Sequence, residues 1–96
     1  MNIPHNIEQL ELYFRKEKLF DFLGINRIGI FGSFARNERF NDIDILLEDE
    51  VDASKLVLFR DKVSKDFSLP IDIVLSKYAE PIILFRAKKD IQYATR

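Results

Sequence analysis

Hydrophobic positions recur at helical spacing near the start of the chain. Ile7, Leu10, Tyr13, Phe14 and Phe20 are interleaved with Glu8, Glu11, Arg15, Lys16 and Lys18, a pattern that predicts one amphipathic helix over residues 5–23. Gly24 follows as its stop. Residues 25–31 then form a short apolar run of strand character that ends at Gly32-Ser33. A short helix is predicted from there, with Ser33 as its cap and Phe34, Ala35 and Arg36 inside it. Residues 37–41 are polar and turn-like apart from Phe40, residues 42–47 alternate as a second strand, and residues 48–50 are an acidic loop. Asp52 is placed to cap a helix over 53–67, with Leu56, Phe59, Val63 and Phe67 on one face. Ser68-Leu69-Pro70 breaks that helix, and residues 71–75 read as a third strand. Pro81 suits the first turn of a last helix running to Lys88 or Lys89. Residues 91–95 fit either a short strand or a fraying tail. The order α-β-α-β-α-β-α predicts an α/β (α+β) fold, a small mixed sheet flanked by helices.

Composition narrows the class. A chain of 96 residues has length for one domain, taken as 1–96. Its 47% hydrophobic and 32% charged content excludes disorder and fibrous repeats. Net charge is −1, from 15 basic and 16 acidic residues. The basic excess that phosphate contacts demand is missing, so no strong nucleic-acid binding is expected. The lack of cysteine excludes disulfides, thiolate zinc sites and a Cys nucleophile. The start, Met1-Asn2-Ile3-Pro4-His5, lacks the pattern of a signal peptide, and no apolar run is long enough for a membrane span. A soluble, cytoplasmic protein is therefore expected. Nine Phe and three Tyr either fill an aromatic core, which composition alone favours, or leave rings on the surface for a protein partner.

Three features carry chemistry. Gly32-Ser33 lies between a strand and a helix. It fits an ordinary tight turn with a capping serine, and equally a phosphate cradle in which glycine permits close approach and the helix start offers free N–H groups. Asp42-Ile43-Asp44 places two carboxylates on one face of a strand, with Ile43 and Ile45 directed to the core. That pair is either the solvated face of a half-buried strand or a hard-oxygen site for Mg²⁺, and without a cation one of its pKa values should rise. Asp72 stands alone in the apolar run Ile71-Asp72-Ile73-Val74-Leu75. It is either exposed on an edge strand or aimed at the same cluster from a neighbouring strand. Arg36 fits a phosphate or partner contact and also a plain surface role.

Together these features are sharper. Gly32-Ser33-Phe34-Ala35-Arg36 followed by Asp42-Ile43-Asp44 resembles the Gly-Ser … Asp-x-Asp signature of the DNA polymerase beta-like nucleotidyltransferase superfamily. The short chain and the isolated Ile-Asp-Ile-Val strand are most similar to its minimal nucleotidyltransferase (MNT) branch. One departure is visible: where many relatives carry Gly after the Arg and a longer loop before Asp-x-Asp, this chain has Asn37 and a short loop. The resemblance implies catalytic, metal-holding carboxylates at Asp42, Asp44 and Asp72, binding two Mg²⁺ ions. It implies nucleotide phosphates held by Gly32, Ser33 and Arg36, with ATP as substrate. It also implies transfer of AMP to a hydroxyl, in this branch a tyrosine of a HEPN-domain toxin, for which the protein is the antitoxin. The alternatives are a catalytically silent binding antitoxin on the same fold, and an orphan nucleotidyltransferase for a small molecule or an RNA end. The short chain implies that a partner presents the acceptor. His5, the stretch Arg15-Lys16-Glu17-Lys18 and the loop 48–50 read as solvated surface, and Lys88-Lys89 suits a helix C-terminus.

Overall fold

The structure is a computed structural model that describes residues 3–96. Asn6 opens the first helix, α1 (Ile7–Lys16), by accepting from the Gln9 N–H at 2.9 Å. Leu10, Tyr13 and Phe14 face inward. The single helix expected over 5–23 is broken: Lys18 adopts φ 56°, and a second helix, α2 (Leu19–Leu23), starts beyond it. The reason is angular. At about 100° per residue, Leu19 and Leu23 of an unbroken helix would lie roughly opposite Leu10 and Phe14. The left-handed corner at Lys18 lets both sets reach one core, where Phe14 and Phe20 meet edge to face at 5.9 Å. Gly24, at φ 72°, closes α2 as expected.

The chain continues through β1 (Arg27–Phe31), the one-turn helix α3 (Gly32–Ala35), β2 (Ile43–Leu47), α4 (Ala53–Phe67), β3 (Ile71–Leu75), a 3₁₀ turn (Ser76–Tyr78), α5 (Pro81–Asp90) and β4 (Gln92–Thr95). Residues 92–95 are thus a strand rather than a frayed tail. The sheet order is β3-β2-β1-β4. β1 pairs antiparallel with both β2 and β4, while β2 and β3, joined through α4, are parallel. This is the small mixed sheet flanked by helices that the pattern predicts.

Alternation divides the sheet between two environments. Ile28, Ile30, Ile43 and Ile45 pack with Leu10, Phe14, Phe20, Phe59, Val63 and Phe67 in the main core. The other face carries Gly29, Asp44 and Leu46, and the end of α5 lies against part of it. A Cβ at Gly29 would come within 2.7 Å of Ile91 Cδ1 and 3.0 Å of the Leu46 carbonyl oxygen, so glycine is what permits that approach. Asp52 caps α4 by accepting from the Ser54 N–H, and Pro81 occupies the first turn of α5. Between α1 and α4, the Tyr13 hydroxyl donates to Asp66 at 2.6 Å, and Lys62 pairs with Asp66 and with Glu17 at the end of α1. Burial and the bond to Asp66 push the Tyr13 phenol up, while the Tyr13 bond holds the Asp66 carboxyl down. Among the described residues no helix is long and apolar enough to cross a membrane.

Asn37 explains the departure noted after Arg36. It takes φ 60°, a left-handed conformation open to glycine and tolerated by asparagine. Asn37→Gly is expected to leave unfolding stability within about 0.5 kcal/mol, whereas a β-branched Asn37→Val should cost on the order of 1–2 kcal/mol. Urea unfolding of the two variants beside the wild type measures the difference.

Candidate active site

Strand direction brings the candidate residues to one end of the sheet. Because β1 and β2 are antiparallel, the end of β1 lies beside the start of β2, with Phe31 opposite Asp44. Gly32 follows directly, at φ +77°. Because β2 and β3 are parallel, the register places Asp44 opposite Asp72. Asp42 lies one residue before β2. A carboxylate oxygen from each of Asp42, Asp44 and Asp72 lies within 4.8 Å of the others. Asp72 is exposed on an edge strand, as one reading of the sequence had it, yet it still faces the other two acids. Ile43 and Ile45 are fully buried beneath them.

Gly32 is tied to this cluster by contact. A Cβ there would collide with Asp44 Oδ2, and φ +77° is itself a conformation that L side chains rarely adopt. The expectation that Ser33 caps the following helix is corrected. Phe31 occupies the cap position, no side chain caps α3, and Gly32 is already its first residue. The sharp corner at Gly32 starts the helix one residue early and carries Ser33 inside it. Arg36, just past α3, is engaged on two nitrogens: Nε donates to Glu38 at 3.0 Å and Nη1 to Asp90 at 2.6 Å.

Asp90 escaped sequence reasoning. It ends α5 with its side chain 17% exposed, and its Oδ1 also accepts from the Gly32 N–H at 3.4 Å. The signal was present: an acid at a helix C-terminus opposes the helix dipole, so Asp90 after Lys88-Lys89 called for a compensating partner. That partner, Arg36, lies 54 residues away in sequence.

The electrostatics are those of an anion cluster short of cations. Asp44 is raised from 3.8 to about 6, first by burial and then by the charges of Asp42, Asp72 and Asp90, with Arg36 acting in the opposite direction. Asp42 is also raised, by burial and then by the charge of Asp72 and a hydrogen bond to it. Three converging carboxylate oxygens, with no nitrogen or sulfur donor among them, fit a hard divalent cation such as Mg²⁺. That ion takes one or two carboxylates and completes its shell with water and phosphate oxygens.

A raised carboxylate pKa has a defined linkage sign. The folded state binds a proton on Asp44 more readily than the unfolded chain does, so ionised Asp44 costs stability above about pH 6, and the cost fades as pH falls toward 4. In metal-free buffer Asp44→Asn should therefore melt above the wild type near pH 7.5, and the gap should narrow to roughly half by about pH 5 and close toward about pH 4. Thermal unfolding across that range checks it, and a gap that is constant with pH would show that Asp44 carries no such cost.

The family model described as nucleotidyltransferase domain matches residues 8–96. No curated protein matches the chain. Among solved structures, a chain from the complex of a tri-AMPylated Shewanella oneidensis HEPN toxin with MNT antitoxin is similar, at 20% identity and TM-score 0.62. The match covers 90% of this chain and 70% of that one. A chain from a toxin–antitoxin crystal structure with AMP-PNP matches at 22% identity and TM-score 0.60, over 83% of this chain and 69% of the other. A third, from a variant of the MntA–HpeT toxin–antitoxin, matches at 20% identity and TM-score 0.61, over 81% and 69%. At these identities the likeness is one of fold. The match to the family model spans nearly the whole chain and contains the Gly32 turn and all three acids, and on that evidence the chain belongs to the nucleotidyltransferase-domain family.

Proposed function

We propose that this protein is a Mg²⁺-dependent adenylyltransferase that transfers AMP from ATP to a tyrosine hydroxyl of a HEPN-type toxin, and so acts as its antitoxin. The observation that carries the reading is the convergence of Asp42, Asp44 and Asp72 beside a glycine corner where a Cβ would meet the Asp44 carboxylate. A purely adhesive protein gains nothing from holding three mutually repelling acids together. The fold neighbours add support, since one holds a tri-AMPylated HEPN toxin with its MNT antitoxin and another holds AMP-PNP.

In this reading Asp42, Asp44 and Asp72 hold the metal, and Gly32, Ser33 and Arg36 hold the outer phosphates. Bound Mg²⁺ supplies charge neutralisation on the triphosphate and acidifies the acceptor hydroxyl. Asp72, the solvent-exposed member of the triad, accepts the hydroxyl proton at a carboxylate oxygen. The acceptor oxygen forms a bond to the α-phosphorus while the bond from that phosphorus to the bridging oxygen of the β-phosphate breaks, and pyrophosphate leaves. The rate gain comes from positioning and charge complementarity. In this reading the toxin brings the acceptor hydroxyl. Tyr78, Ile82 and Phe85, all more than half exposed, give the region of α5 an apolar surface suited to contact with it.

Incubation of the wild type with a HEPN-type toxin, ATP and Mg²⁺ should add mass to the toxin in units of AMP, on tyrosine. Asp42→Asn combined with Asp44→Asn should lower the transfer rate on the order of a hundredfold or more. A folded wild type that transfers nothing contradicts the reading. If the double variant still neutralises the toxin at full strength, neutralisation rests on binding alone.

A further inference from the structure

The cation whose charge acts on Asp44 is Arg36, and Asp90 already engages it. Asp90 Oδ2 accepts from Arg36 Nη1 at 2.6 Å, and Oδ1 of the same carboxylate accepts from the Gly32 N–H at 3.4 Å. The two groups suited to hold phosphate oxygens therefore share one internal acceptor. Asp90 is not placed there by its own helix, because an acid at a C-terminus is disfavoured by the dipole. The contact to Arg36 offsets that cost. Its side chain is 17% exposed against 46% for Arg36, so the carboxylate is the sheltered partner and the guanidinium the one with freedom to turn outward.

We infer that Asp90 is an affinity-setting residue for the nucleotide: its carboxylate occupies Arg36 and the Gly32 N–H in the free protein, and an incoming phosphate must take them from it. This rests on the nucleotidyltransferase reading above and extends it to a residue outside the metal-binding triad. The sign follows from charge. Removing Asp90 deletes an anion from a site for a polyanion and frees Arg36 Nη1, with Nε still on Glu38, to pair with phosphate. A merely structural Asp90 would give the reverse, since its loss would disorder Arg36 and the turn and weaken binding.

The test is the affinity of wild type, Asp90→Asn, Asp90→Ala and Arg36→Ala for a non-hydrolysable ATP analogue in saturating Mg²⁺, by calorimetry, with thermal unfolding to confirm the fold. Both Asp90 variants should bind the analogue about fivefold more tightly than wild type, the scale of one partly exposed ion pair, and Arg36→Ala should bind it more weakly. Unchanged or weaker binding by the folded Asp90 variants overturns the inference while leaving the nucleotidyltransferase reading intact. A wild type that binds no nucleotide removes that reading and this inference with it. Should the Asp90 variants fail to fold, a crystal structure of the wild type with the analogue and Mg²⁺ decides. Arg36 parted from Asp90 and on phosphate supports the inference, and an intact Arg36–Asp90 contact overturns it.

Discussion

Three carboxylates within 4.8 Å of one another repel, and everything around them is arranged to hold them together despite that. The sheet supplies the restraint. Asp44 is flanked on one side by Phe31 of the antiparallel β1 and on the other by Asp72 of the parallel β3. Ile43 and Ile45, on either side of it in sequence, are fully buried. A slip of one residue would turn Asp44 into the core and bring those isoleucines out, so hydrophobic burial on one face fixes the acids on the other. Burial first, and then the repulsion from Asp42, Asp72 and Asp90, raises the pKa of Asp44 to about 6, and a bound cation would relieve both.

The same region shows how backbone and chemistry are coupled. Gly32 ends β1, turns the chain through φ +77° and leaves no room for a Cβ against Asp44. The turn and the acid therefore form one unit. The end of α5 completes it, because Asp90 reaches both the Gly32 N–H and Arg36. β4, immediately after α5, pairs with β1 from Arg27 to Ile30, which fixes the position of Asp90 relative to the turn. The last element of the chain thus has a part in the site at its centre.

Much of this was legible in the sequence, for identifiable reasons. The helix over 53–67 is observed with those bounds, because Asp52 marks its start and Ser68-Leu69-Pro70 its end. The alternation around Asp42 and Asp44 correctly sent Ile43 and Ile45 to the core. The helix over 5–23 did not survive, because an apolar count ignores angle: Leu19 and Leu23 needed the corner at Lys18 to reach the core. Ser33 was a plausible cap by type, but the corner at Gly32 moved the helix start ahead of it. Asp90 stayed out of view because its meaning depends on Arg36, and that contact exists only once β4 has folded back beside β1.

If the triad holds a divalent cation, as proposed, its repulsion is relieved only when the ion is bound. Thermal unfolding of wild type and Asp44→Asn, each with chelator and with saturating Mg²⁺ near pH 7.5, tests it most directly. A crossing is expected. With chelator Asp44→Asn is the more stable of the two, and with Mg²⁺ the wild type gains more and overtakes it. A wild type that gains nothing from Mg²⁺, or gains no more than Asp44→Asn does, would show that the triad is not a cation site.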